Sequence, residues 1–188
     1  MRVLVLVDLQ NDFIDGSLGT QEAKTIVPNI IKKIKETNMM ETLVLFTKDT
    51  HYENYLETLE GKYLPIKHCI ENTKGWSINK GISSIVDNTP RITYRTKEII
   101  NGRIYKNTFG SDVLRNFLKE QESEIEEVEF LGLCTDVCVI SNALMARQTL
   151  PNTRVVVDAS CCAGTTPKKH LAALEIMKSC QIDVIGEF

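Results

Sequence analysis

The sequence predicts a three-layer α/β/α sandwich on a largely parallel six-stranded sheet, and three observations predict it. Short apolar, β-branched runs alternate with amphipathic segments along the whole chain. The runs are continuously apolar, the pattern of strands buried on both faces by helices. The chain has 188 residues, 43% hydrophobic and 25% charged, enough for a sizeable core and too apolar for disorder. One domain over residues 1–188 is expected, since no repeat, low-complexity segment or linker interrupts the rhythm.

The elements follow in order. Val3–Val7 is the first strand and ends at Asp8. Ala23, Ile26, Val27, Ile30, Ile31 and Ile34 carry a helical spacing that Pro28 interrupts, so this helix starts or kinks there. Thr42–Thr47 is a second buried strand. The stretch Thr93–Lys106 departs from the rhythm, and Asn101-Gly102 between isoleucines signals a two-residue hairpin leading into Lys106. Val113, Leu114, Phe117 and Leu118 mark a helix face behind a Ser111 N-cap. Glu127–Leu133 is a further strand, followed by a helix whose face begins with Val137, Ile140 and Leu144. Thr153–Val157 is the next apolar run, and Thr166-Pro167 opens a helix carrying Leu171, Leu174 and Met177. Ile182–Ile185 closes the sheet.

Charge and composition narrow the function. A formal net charge of −3 leaves no basic footprint for nucleic acid or anionic membrane, and no apolar run approaches a membrane span. The N-terminal run is broken by Asp8 and has no small-residue cleavage site, so it reads as a strand rather than a signal peptide. The six cysteines include no CxxC pair and sit mostly in apolar segments, as reduced thiols of a cytoplasmic protein do.

In an open parallel sheet the site lies beyond the carboxyl ends of the strands. Asp8 follows a wholly apolar strand, where partial desolvation raises a carboxyl pKa and suits it to proton transfer; the plain alternative is a loop or capping aspartate. In Gly132-Leu-Cys-Thr-Asp136-Val-Cys138, Asp136 is placed to cap a helix whose first turn holds Cys138. Backbone N–H groups there favour a thiolate and can hold an oxyanion. A buried structural cysteine is the competing reading, and Cys134, Cys161, Cys162 and Cys180 take it. Asp49-Thr-His51 lies past the second strand, and two of the three histidines, His51 and His68, fall within one short interval. Asp49, His51 and a loop ligand suit zinc or a similar divalent metal, with Glu60 a further donor; a hydrogen-bonded loop pair is the alternative. An isolated Lys106 is ordinarily solvated and matters only if the fold brings it to Cys138.

These blocks, in this order, resemble the isochorismatase-like cysteine hydrolases, and among them the nicotinamidases. The matching residues are Asp8-Leu-Gln-Asn-Asp-Phe13, Asp49-Thr-His51 with His68-Cys69, Lys106-Asn-Thr-Phe-Gly110, Gly132-Leu-Cys-Thr-Asp-Val-Cys-Val139 and Asp158-Ala-Ser-Cys-Cys-Ala-Gly164. The resemblance implies the isochorismatase-like fold and an Asp8–Lys106–Cys138 triad that hydrolyses nicotinamide through a thioester on Cys138. It implies a cis peptide at Leu133–Cys134, with the N–H groups of Cys134 and Cys138 on the oxyanion. It implies a divalent metal, zinc first and manganese or iron as alternatives, held by Asp49, His51 and His68 with Glu60 as a fourth donor. Phe13 would pack on the substrate ring and Trp76 would line the pocket, core packing being the alternative for both. Cys134 departs from the family, which often has alanine there, and the hairpin before Lys106 is an elaboration. The expected partner is a small amide, in a homo-oligomer, with no nucleic acid or membrane. Two further readings keep less of this: the same triad on another amide or ureido compound, and a non-enzymatic thiol-sensing relative.

Overall fold

β1 (Arg2–Val7) is buried at every position except Arg2 and occupies the middle of the sheet. In the computed structural model, which describes residues 1–89, 94 and 96–186, β1 pairs in parallel with β2 (Thr42–Asp49) and β5 (Glu127–Leu133). β4 (Arg103–Lys106) extends the sheet beyond β2, and β6 (Arg154–Ala163) and β7 (Asp183–Ile185) extend it beyond β5. β3 (Ile99–Ile100) adds an antiparallel edge, giving the order β3-β4-β2-β1-β5-β6-β7. The sheet therefore has seven strands where six were expected, because the hairpin contributes both of its arms.

Helices cover the two faces. α2 (Gln21–Glu36) packs on β5 and β6 beside α4 (Lys80–Asn88), with α1 (Asn11–Ile14) against it. The other face carries α5 (Asp112–Glu120), α6 (Ile140–Thr149) and α7 (Pro167–Ser179). A short helix α3 (Leu59–Tyr63) rises beside the end of β2. No helix among the described residues is long and apolar enough to cross a membrane.

Several boundaries differ from the sequence reading. α2 begins at Gln21, where Thr20 accepts a hydrogen bond from the Ala23 N–H, and it runs through Pro28 instead of starting there. The ring removes one donor, so the Lys24 carbonyl lacks its helical partner. β6 continues to Ala163, six residues past Val157, because beyond Asp158 and Ser160 the chain still pairs with β5 at Cys162 and Ala163. In α6 the buried side chains are Asn142, Ala143 and Ala146, while Ile140 and Leu144 are only partly covered. A π-helical turn, Thr135–Val139, precedes α6 and rotates its register. Leu171 of α7 is exposed, and Ala173 takes its place beside Leu174 and Met177. Ser111 and Thr166 cap α5 and α7 as expected. Thr93 lies outside the described residues. Asn101 and Gly102 both have positive φ, +52° and +74°, the hairpin geometry their pairing predicts.

One glycine fixes how closely β1 and β5 approach. Gly132 has φ +128°, and a Cβ there would collide with the Val7 carbonyl oxygen. Gly132→Ala is expected to lower unfolding free energy by about 3 kcal/mol in urea titration. Gly110, whose added Cβ meets nothing nearer than 3.8 Å, serves as the tolerant control.

Candidate active site

Parallel strands deliver their carboxyl ends to one edge, and three of those ends meet. Asp8 leaves β1 in a left-handed conformation, φ +48°, and is fully buried. Thr47 of β2 donates from Oγ1 to Asp8 Oδ1 at 2.6 Å and accepts from the Asp8 N–H at 3.2 Å. Lys106, the last residue of β4, lies opposite Asp49 and reaches across the end of β2. Its Nζ stands 2.6 Å from Asp8 Oδ2 and donates to Cys138 Sγ at 3.6 Å. Apart from this ion pair, Asp8 Oδ2 is buried without a hydrogen-bond partner.

Burial dominates the protonation of this cluster. It raises the Asp8 pKa against the opposing pull of Lys106. Burial also works against the Lys106 ammonium, but Asp8, Cys138 and Asp49 more than offset it and hold the lysine charged. The Cys138 thiol is pushed well up, by burial first and by Asp8 second. The helix-start position that favours a thiolate is thus opposed by burial, and Cys138 sits in a π turn rather than in the first turn of an α-helix. Asp136 does not cap that turn. It accepts instead from the N–H and hydroxyl of Thr165, at 2.7 and 2.6 Å. The Leu133–Cys134 peptide is cis, at the position the resemblance indicated. The Cys134 thiol is pushed up to about 12 by burial.

A second cluster adjoins the first. Asp49 Oδ2 lies 3.0 Å from His51 Nε2 and 3.4 Å from His68 Nε2. Glu60 Oε1, from α3, stands 3.7 and 3.8 Å from the same two nitrogens. Asp49, His51 and His68 are buried, with candidate ligand atoms all within 4.8 Å of one another. Two features fit a metal. His51 Nε2 is buried without a hydrogen-bond partner, and His68 Nδ1 donates to the Ile66 carbonyl at 2.8 Å, which leaves the Nε2 lone pair turned inward. Two imidazoles and a carboxylate suit a divalent ion of the zinc, manganese or iron type.

Both clusters border a cavity of about 350 Å³. Phe13, Leu18, Leu64, Phe109 and Val137 supply apolar walls, and Asp49, Glu60, His68, Leu133, Cys134 and Cys138 line the rest with Gly164, Thr165 and Lys169. Phe13 meets His68 edge-on, with ring centroids 5.6 Å apart. Trp76 lies outside this cavity. Its ring stacks on Tyr105 under the Lys48 ammonium, and its indole N–H donates to Thr50 Oγ1 at 2.9 Å.

Sequence reasoning missed the residues that hold the clusters in place. Gln10, fully buried, accepts from the Asp49 N–H at 2.7 Å and donates to the carbonyls of Asp49 and Trp76. Asp12 accepts from the Cys69 N–H at 2.8 Å, fixing the chain beside His68. Asn142 donates to the Cys138 and Phe109 carbonyls and accepts from the Ser111 N–H, tying α6 to the loop after Lys106. For Gln10 and Asp12 the available signal was polar side chains immediately beyond an apolar strand, where a buried backbone must find partners; Asn142, inside α6, left none.

A parallel α/β domain with a buried cysteine, lysine and aspartate at its strand ends is the class that fold and site define. The isochorismatase domain model matches residues 2–187, and the chain belongs to that family. The chain is 26% identical to a nicotinamidase from Schizosaccharomyces pombe, over 98% of this chain and 92% of that protein. It is also 26% identical to the nicotinamidase/pyrazinamidase of Mycobacterium tuberculosis, over 98% of both. Among solved structures, the Pyrococcus horikoshii pyrazinamidase in complex with zinc superposes with a TM-score of 0.75 at 23% identity, covering 99% of each chain.

The donor set leads to a direct test. Metal analysis of purified protein should find about one divalent ion per chain. His68→Ala should weaken its retention by about 10- to 100-fold or more on dialysis, the scale seen when a metal site loses supporting contacts. Chelation should lower the thermal midpoint, and returning metal should restore it.

Proposed function

We propose that the protein is a metal-containing cysteine amidohydrolase that converts nicotinamide and water to nicotinate and ammonia. The observation that carries this reading is the convergence of Asp8 and Lys106 on Cys138 beside the Asp49–His51–His68 donors, at the border of one small cavity. Nicotinamidase and pyrazinamidase relatives matching the chain end to end support it.

Asp8 Oδ2 takes the thiol proton as Cys138 Sγ attacks the carboxamide carbon. A carboxyl group with a raised pKa is a better base than an ordinary aspartate, which narrows the gap to the thiol it deprotonates. Lys106 keeps its charge throughout and balances first the carboxylate, then the thiolate. The backbone N–H groups of Cys134 and Cys138 receive the oxyanion of the tetrahedral adduct. Asp8 returns its proton to the departing nitrogen, ammonia leaves, and a thioester remains on Cys138. Water gives a proton to Asp8 and attacks the thioester; the second tetrahedral adduct expels the Cys138 sulfur, which takes that proton back from Asp8, and nicotinate leaves with the remaining proton passing to solvent. A divalent ion, with zinc the first choice, would be held by Asp49, His51 and His68 with Glu60 adjacent, and would supply a Lewis acid for the pyridine nitrogen. Phe13 packs against the ring. The donor cluster is what favours a ring nitrogen over a ureido compound, which offers no such ligand.

Ammonia release from nicotinamide tests the reading. Cys138→Ala should lose at least about a thousandfold in kcat while keeping the parent circular dichroism spectrum. Full activity in that variant, or a parent protein inert toward nicotinamide and pyrazinamide, would overturn it. The pH profile carries a second expectation. Activity requires ionised Asp8, so kcat/KM should fall as pH drops through a pKa above the usual aspartate value of about 3.9. Thr47 stabilises the carboxylate by its hydrogen bond. Thr47→Val should therefore move this acid limb upward by about one pH unit.

A further inference from the structure

The cavity has an end that the chemistry above leaves unused. In the sheet, β2 and β6 are separated by β1 and β5, so their carboxyl ends stand about 14 Å apart at about 4.8 Å per strand step. Asp49, Glu60 and His68 enter the cavity from the β2 side, and Cys138 stands between, beyond β5. Gly164, Thr165 and Lys169 close it from the β6 side. That wall is fixed: Asp136 holds Thr165 by two hydrogen bonds, and Thr166 Oγ1 accepts from the Lys169 N–H at 3.2 Å.

Lys169 is exposed, lines the cavity from the first turn of α7, and has no ion-pair partner among the described residues. The cavity's acids, Asp49 and Glu60, are at the opposite end and are turned toward His51 and His68. The cavity is thus polarised, with the donor cluster at one end and a free ammonium at the other. A neutral carboxamide makes no use of that ammonium. A substrate with a carboxylate on its far side would, and it would displace no internal partner in doing so.

We propose that Lys169 is a specificity-determining residue that selects carboxamides bearing a second, anionic group, the class of dicarboxylic acid monoamides. This rests on the amidase reading of the same cavity. The contact lies at a solvent-facing wall, so it is screened by salt and modest in strength.

Binding to Cys138→Ala protein, measured by calorimetry, separates selection from turnover. The probes are pyridine-3,5-dicarboxylic acid monoamide and nicotinamide, each at low and at molar salt. The anionic probe should bind more tightly than nicotinamide at low salt, and the difference should shrink at high salt. Adding Lys169→Met should lower the anionic-to-neutral affinity ratio by about fivefold, and Lys169→Arg should retain it. An unchanged ratio in Lys169→Met, or a salt-independent one, overturns the proposal. Ammonia release by the unsubstituted protein is scored separately. If neither compound is hydrolysed while the charge-dependent binding persists, the amidase reading fails and the selection by Lys169 stands.

Discussion

At the centre of the site an ammonium and a carboxylate face each other 2.6 Å apart with almost no access to water. Taking both ions out of water is costly, and their attraction alone does not ensure a gain. The neighbours decide the balance. Thr47 donates to one carboxylate oxygen, Cys138 accepts from the ammonium, and Asp49 lies 3.8 Å from the same Nζ. Because each charge is uncompensated without the other, the ends of β1, β2 and β4 must keep one register. The strained φ of Asp8 belongs to this arrangement: it turns the side chain off the end of the strand toward Lys106.

The sheet order makes that register possible. β2 lies between β1 and β4, so Lys106 must cross one strand end to reach Asp8, and it passes Asp49 on the way. The donor cluster and the cysteine cluster are therefore coupled through a shared lysine. Gln10 reinforces the junction by bonding both the N–H and the carbonyl of Asp49 from the chain just after Asp8. The segment carrying His68 is docked separately, through Asp12 to the Cys69 N–H and through the bridge between His51 and Ile70. Strands thus position Asp8, Lys106 and Asp49, and a loop held by buried side chains positions His68.

The sheet was largely legible because parallel strands are buried on both faces and leave unbroken apolar runs. Val3–Val7 of β1 and Leu43–Phe46 of β2 are such runs, β5 keeps Phe130 to Leu133 after two glutamates, and Asn101-Gly102 announced the hairpin. Periodicity failed where Asp158 and Ser160 interrupt the apolar run of β6, or where a π turn shifts the register, as in α6. α4, with only Ile82 and Val86 buried, and the single turns α1 and α3 were too short or too polar to leave a signal. The site residues were legible in kind from the strand-end rule, but their convergence was not. Nothing in spacing distinguishes Lys106 from a solvated lysine, and Trp76 reads equally as pocket wall or as core packing, whereas it stacks on Tyr105.

The protonation state of Cys138 shows what that convergence does. A cysteine near a helix start suggests a permanent thiolate, which would be nucleophilic toward any electrophile that entered the cavity. In the buried cluster, Asp8 competes with the sulfur for the one available cation, and burial penalises a second anion. Lys106 can balance a single negative charge closely, and burial opposes a second one beside it. In the proposed reaction, attack by the sulfur would be accompanied by transfer of its proton to Asp8, the negative charge moving from carboxylate to thiolate to oxyanion. The net charge around Lys106 stays constant along that path, so the protein need not resolvate a new ion at any step. The same dry environment that suppresses the free thiolate is what makes the transfer inexpensive once an acceptor carbon is in place.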